Sequence, residues 1–129
     1  MGVKFARYTY FAAGIFGLVL AIPVAYAALF DASETMQSPI GTGFFIYGFL
    51  AQFLAWQVLL FVLAADPMRF RPMMIPAFLA QVVEPLNSAW LYFYGHRIWI
   101  PASVAFLILA ILFLTSYWRT RPQPEPGAA

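Results

Sequence analysis

Cysteine is absent from this 129-residue chain, and charged residues make up only 9% of it. The missing thiols exclude disulfide bonds, a cysteine nucleophile and a metal site built on cysteine. The single histidine, His96, is a poor basis for a zinc site, because zinc takes three or four protein ligands. No phosphate-binding loop, dinucleotide fingerprint or nucleophile elbow is present. We therefore predict neither a metal ion nor a cofactor.

Apolar and aromatic residues make up 64% of the chain, far more than a soluble domain of this length would carry. They fall into four runs, each about 20 residues long, which is the length that crosses a bilayer as a helix. Backbone groups in lipid must be paired within each segment, which favours helices. The sequence predicts an all-α, four-transmembrane-helix bundle over residues 1–118, with spans at about 8–30, 40–65, 73–94 and 98–118. Residues 119–129 are rich in proline and predicted to be a disordered tail.

The basic residues stand at the ends of the spans. An even number of spans places three basic pairs on one side of the membrane, and only Arg97 on the other. The pairs are Lys4 with Arg7, Arg69 with Arg71, and Arg119 with Arg121. The positive-inside rule makes that side the cytoplasm, so both termini are predicted to be cytoplasmic. The net charge of +2 is explained by topology and does not indicate a nucleic-acid partner.

Span one has a second interpretation. Lys4 and Arg7 precede an apolar run, and Ala25-Tyr26-Ala27 has the small-x-small pattern of a signal-peptidase site. The run is longer than the apolar region of an ordinary signal peptide, which favours a retained helix. Cleavage stays open as the alternative, and it would leave the orientation of the other spans unchanged.

An acidic residue stands in the middle of span three. Glu84 lies about ten residues from either end, where an ionised carboxylate is costly unless it meets a partner or water. Gln81, Glu84 and Ser88 have the i, i+3, i+7 spacing of one helix stripe, with Asn87 at its border. Pro85 lacks the N–H that would bond to the Gln81 carbonyl, which predicts a kink. The stripe indicates a ligand-binding or proton-handling site, or alternatively a polar contact that joins helices.

Span two carries two glutamines. Gln52 lies near its centre, at about the depth of Glu84, and shares a helix face with Trp56. Gln57 is turned about 100° from Trp56. We expect Gln52 and Trp56 to face the site at Glu84 and Gln57 to face another helix.

The turn Asp66–Pro72 joins spans two and three on the side assigned to the cytoplasm. Asp66 can accept backbone amides in an Asx-type turn, and Pro72 is well placed at a helix start. Arg69 and Arg71 can reach anionic lipid headgroups. Structural and topological use accounts for the whole segment.

A family resemblance rests on three stretches of sequence: residues 53–58 (FLAWQV), 66–77 (DPMRFRPMMIPA) and 116–120 (SYWRT). Together they resemble a group of small, uncharacterised four-span bacterial membrane proteins that are loosely similar to DoxX-like proteins. The resemblance implies the bacterial inner membrane and no established activity. It also implies an acidic–basic pair shortly after the Pro-Ala, where this chain has Ala80 and Gln81.

These observations favour a membrane protein without enzymatic activity. It would bind a small apolar or lipid-like molecule at Glu84, or act as an accessory subunit of a larger membrane complex. Besides lipids, another copy of the chain is a candidate partner. A lipid-modifying, isomerase-like enzyme with Glu84 as its acid or base is the alternative, although no second titratable group is in the membrane. A small transporter is the third, disfavoured by the lack of an evident repeat.

Overall fold

The computed structural model describes residues 1–30, 42–95, 100–123 and 127. Within these residues the chain forms four α-helices and no strand. They are α1 (Gly2–Phe30), α2 (Thr42–Ala65), α3 (Met74–Phe93) and α4 (Ile100–Arg119), with a 3₁₀ turn at Arg71–Met73. The all-α, four-helix prediction is confirmed. The helix bounds agree with the predicted spans to within about two residues, except that α1 begins at Gly2, so Lys4 and Arg7 are helical.

Several predictions concern other parts of the chain. The segment between the first two spans, with Asp31 and Glu34, the segment with His96 and Arg97, and positions 124–126 and 128–129 of the tail lie outside the described residues.

Three of the four helices are long and apolar enough to cross a membrane: α1 over Gly2–Pro23, α2 over Tyr47–Ala65, and α4 over Ile100–Arg119. Helix α3 is as long as α4, at 20 residues, but it is not in that group. Its apolar run is interrupted by Gln81, Glu84, Asn87 and Ser88. The polar residues that make α3 the candidate functional helix therefore also make it the least membrane-like by composition.

Helix α3 is arranged as expected for a protein dissolved in lipid. Its polar residues Gln81 and Ser88 are only 5% and 7% exposed. Its apolar residues Val83 and Leu86 are 63% and 64% exposed. Water would favour the reverse arrangement, because buried polar groups lose hydration and exposed apolar groups order solvent. The chain is a membrane protein in which Gln81 and Ser88 of α3 are buried while apolar neighbours are exposed.

The described chain divides into two compact units, Met1–Tyr10 with Val62–Ala129, and Phe11–Phe61. In the first unit the start of α1 and the end of α4 meet, because the Arg119 guanidinium lies 4.8 Å from the Phe5 ring centre. The turn before α3 lies at the same end, where the Arg71 guanidinium stacks 4.0 Å from the Tyr117 ring centre. The predicted clustering of basic segments at one end is confirmed, and its cytoplasmic side stays a prediction.

The contact between the end of α4 and the turn before α3 determines the direction of α3. Helix α4 finishes beside the turn from which α3 starts, so α3 must carry the chain to the opposite end. At the shared end, Met74 of α3 is fully buried and its sulfur accepts a hydrogen bond from the Thr120 hydroxyl at 3.7 Å. Tyr10 of α1 packs on Phe113 of α4 with ring centres 4.5 Å apart. Helices α3 and α4 therefore run antiparallel.

The second unit is held by a close approach of α1 and α2. A side chain added at Gly17 would collide with the amide of Gln57, and one added at Gly14 would lie 2.9 Å from the Phe61 ring. Phe11 also meets Phe61, edge to face, with ring centres 5.7 Å apart. Small residues allow such contacts in lipid, where packing replaces the hydrophobic effect as the force that joins helices.

Gly17→Leu should therefore destabilise the protein, while Gly48→Leu should not. Leucine at Gly17 must displace the Gln57 amide, and overpacking of this kind costs about 1–3 kcal/mol. A Cβ at Gly48 meets nothing within 4 Å, so leucine there should gain up to about 1 kcal/mol of helix propensity. Unfolding in titrations with sodium dodecyl sulfate, followed by circular dichroism, measures both. Equal effects of the two substitutions would contradict the proposed α1–α2 contact.

Candidate functional site

The carboxyl group of Glu84 links α3 to α4. Glu84 is half-buried near the middle of α3, ten residues after Met74. Its Oε1 accepts a hydrogen bond from the Ser88 hydroxyl at 2.8 Å and another from the Ser103 hydroxyl at 3.3 Å. Ser88 lies one turn along α3, whereas Ser103 belongs to α4. Oε1 therefore accepts one hydrogen bond from its own helix and one from α4.

The other carboxyl oxygen has no such support. Glu84 Oε2 is buried and has no hydrogen-bond partner within the part of the chain that the structure describes. The same holds for Oε1 of Gln81, one turn earlier on α3, whose side chain is almost fully buried. An amide oxygen can only accept, while a carboxyl oxygen accepts when ionised and donates when it carries the proton. Burying such groups unpaired costs about 1–3 kcal/mol each.

Pro85 follows Glu84 directly and lies inside α3, which continues through it to Phe93. Proline has no N–H, so the carbonyl of Gln81 loses its usual helical donor. A third acceptor is thus left without its helical donor within one turn of the carboxyl. The predicted kink at this position stays a prediction.

The three residues of the predicted stripe on α3 share one helix face. Gln81 and Ser88 are buried and Glu84 is half-buried, all on the side that faces α4. Asn87 is exposed. It lies one residue from Ser88, so the helix turns it about 100° away from the buried face.

The two glutamines of α2 differ in burial. Gln57 is the buried one; its Nε2 donates to the Phe53 carbonyl at 3.0 Å, and it contacts Gly17 of α1. The prediction that Gln57 faces another helix is confirmed. Gln52 is exposed rather than turned inward, because five residues rotate a helix by about 140° and burying Gln57 turns Gln52 away.

Trp56 is half-buried, and its Nε1 is a buried donor with no partner among the residues described. Gln52 and Trp56 belong to the second compact unit and Glu84 to the first. Their participation in one site with Glu84 stays a prediction.

The two arginines assigned to lipid headgroups differ in their surroundings. Arg69 is exposed, and its backbone N–H donates to Asp66 Oδ1 at 3.2 Å, which confirms the predicted Asx-type turn. Arg71 is half-buried, and its Nη2 donates to the Tyr117 carbonyl at 3.2 Å. Arg71 therefore fastens the turn to α4, while Arg69 is the better placed of the two for a headgroup.

Sequence reasoning missed Ser103. Ser103 lies close to the start of span four, whereas Glu84 is in the middle of span three, so the two residues are not expected at the same depth in the membrane. A signal was nevertheless present. Ser103 is the one polar residue among the first twelve of α4, and an isolated hydroxyl in an apolar helix favours a bond across a helix interface.

Comparison with protein-family models, with curated proteins and with solved structures finds no match for this chain. Function therefore has to be argued from the site itself.

Ser103→Ala should weaken the α3–α4 interface by about 0.6 kcal/mol, the average for such bonds in a membrane. The control, Ser116→Ala, removes a hydroxyl that bonds only to the Leu112 carbonyl within α4. Combining each serine substitution with Glu84→Ala separates the pairwise energies. Detergent unfolding should show coupling of Glu84 with Ser103 and none with Ser116. Purely additive effects of Ser103→Ala and Glu84→Ala would contradict the hydrogen bond.

Proposed function

We propose that this chain is an integral protein of the bacterial inner membrane that binds a small lipid-like molecule at Glu84. Both termini would lie in the cytoplasm, on the side of the shared basic end. The resemblance to small four-span bacterial proteins supports the location, and the excess of basic residues at that end supports the orientation.

The observation that carries the proposal is the pair of buried acceptor oxygens, Glu84 Oε2 and Gln81 Oε1. A carboxyl retained only to join helices would use both of its oxygens, since each unpaired polar group costs stability. Here the hydroxyls of Ser88 and Ser103 both donate to Oε1, and Oε2 accepts no hydrogen bond from the described residues. A ligand that donates hydrogen bonds to Glu84 Oε2 and Gln81 Oε1 would offset the free-energy cost of burying these oxygens unpaired.

The surroundings of the carboxyl favour a ligand with an apolar body. Glu84 is half-buried as a residue, and its Oε2 atom is buried, so a ligand would reach that oxygen by displacing neighbouring side chains. The neighbouring residues Val83 and Leu86 on α3 are exposed and apolar, as a lipid-facing surface should be. A molecule that approaches through the bilayer would keep its chain in hydrocarbon while its polar group meets Glu84.

Glu84→Gln tests the proposal because glutamine keeps the shape and one acceptor but replaces Oε2 with an amide NH₂. The protein is extracted in native nanodiscs and the molecules that accompany it are identified by mass spectrometry. Wild-type protein should carry a molecule that Glu84→Gln retains at one-tenth or less, since a hydrogen bond to a charged group is worth about 1.5–3 kcal/mol.

The matched control is Asp66→Asn, which removes a carboxylate in the exposed turn and keeps the oxygen that caps Arg69 N–H. It should retain the wild-type amount of the molecule. Equal amounts of every lipid in wild-type and Glu84→Gln samples would contradict the proposed function.

A second function, as an accessory subunit or homo-oligomer, is favoured by the exposed face of α2. Gln52 is exposed within the apolar segment Tyr47–Ala65, where hydrocarbon offers its amide no hydrogen bond. Gly48 and Ala55 are also exposed and flank it, so a neighbouring helix could approach closely. The accessory function would place a second chain against this face.

Gln52→Leu should then reduce assembly, because it removes the amide while leaving an apolar helix. Asn87→Leu is the control, since it removes another exposed amide, on α3. Chemical cross-linking in native membranes, followed by gel electrophoresis, should show a cross-linked species that Gln52→Leu loses and Asn87→Leu keeps. Loss in both variants, or in neither, would remove the case for α2.

A further inference from the structure

We infer that the molecule bound at Glu84 is a cationic amphiphile, with a protonated primary amine as its head and a single apolar chain as its tail. This inference rests on the proposed function and names the chemical class of its ligand.

The predicted spans contain more negative than positive charge. Glu84 is the one acidic residue in the four predicted spans, and no lysine or arginine lies in any of them. The nearest basic residues in sequence are Arg71 and Arg97, each thirteen positions away. Within the part of the chain that the structure describes, the Glu84 carboxyl meets the hydroxyls of Ser88 and Ser103 and forms no ion pair with a basic side chain. Buried charges persist only when they are paired.

The site lacks hydrogen-bond donors rather than acceptors. Its serine hydroxyls already donate to Oε1 of Glu84. The unfilled positions, Glu84 Oε2 and Gln81 Oε1, are both oxygens. With Glu84 ionised, both only accept, so a ligand must bring at least two N–H or O–H donors. A primary ammonium has three donors on one atom and also brings the positive charge.

The helix that carries the site exposes apolar side chains such as Val83 and Leu86, as a helix in lipid should. The ammonium group of an amphiphile can reach a carboxylate in the membrane while its chain stays in hydrocarbon. Binding of this kind removes the cost of an isolated charge on both partners. A neutral alcohol would supply one donor and no charge, so it would leave Glu84 either ionised and unpaired or protonated.

The test uses purified full-length protein in phosphatidylcholine nanodiscs at pH 7, with tritium-labelled dodecylammonium and dodecanol as probes. Empty nanodiscs give the background from simple partition into lipid. Dodecylammonium should bind saturably to wild-type protein, at least tenfold more tightly than to Glu84→Gln. Asp66→Asn should bind like the wild type, and dodecanol should show no saturable binding.

Gln81→Met provides a second variant that leaves the carboxyl in place. It removes one acceptor at nearly constant volume and should weaken dodecylammonium binding several-fold. Dodecyltrimethylammonium, which has the charge without N–H donors, should bind at least tenfold more weakly than dodecylammonium. Equal binding of these two cations would overturn the inference of a primary amine.

Failure of the inference can be told apart from failure of the proposed function. Saturable dodecanol binding that depends on Glu84 would overturn the cationic ligand while supporting a lipid-like one. No Glu84-dependent binding of any probe, together with no Glu84-dependent molecule in native nanodiscs, would overturn both.

Discussion

Hydrocarbon offers a buried polar group no hydrogen bond, and most of this structure follows from that constraint. The backbone is satisfied by forming helices over nearly all described residues. On α3, Gln81, Glu84 and Ser88 share the helix face that bonds to α4 through Ser103, while Val83 and Leu86 are exposed. Even hydroxyls without a distant partner bond to their own helix, as Thr115 and Ser116 do with carbonyls four residues earlier. Glu84 is the strictest case, because its group can carry a full charge.

The same constraint gives the basic end its structure. Arg71 and Arg119 lie against Tyr117 and Phe5, so their guanidinium groups meet aromatic rings at the edge of the apolar region. Such contacts combine cation–π attraction with a charged head that can remain near water. They also join the first helix, the turn before the third and the end of the fourth. One end of the first unit is therefore fastened by charged side chains, while its middle holds a carboxyl with one vacant oxygen.

The binding proposal and the catalytic alternative make different demands on Glu84. Acid–base catalysis on a lipid needs a proton to be taken at one position and returned at another, which usually requires two titratable groups. The four predicted spans carry one acidic residue and no histidine, lysine or arginine. A single carboxyl with two neighbouring hydroxyls and an amide oxygen can instead orient one polar head. The vacant acceptors and the missing counter-charge both indicate what that head should supply.

The sequence alone determined the all-helical class, the approximate helix bounds and the shared end of the basic segments, because length, apolarity and charge placement act locally along the chain. It also determined that Gln81, Glu84 and Ser88 share a face, since helical periodicity needs no partner. Only the tertiary structure decided that Ser103 meets Glu84, that Gln57 rather than Gln52 is buried, and that Arg71 is held by Tyr117. Helix rotation and stagger select these partners, and both depend on packing between segments distant in sequence, which periodicity does not encode.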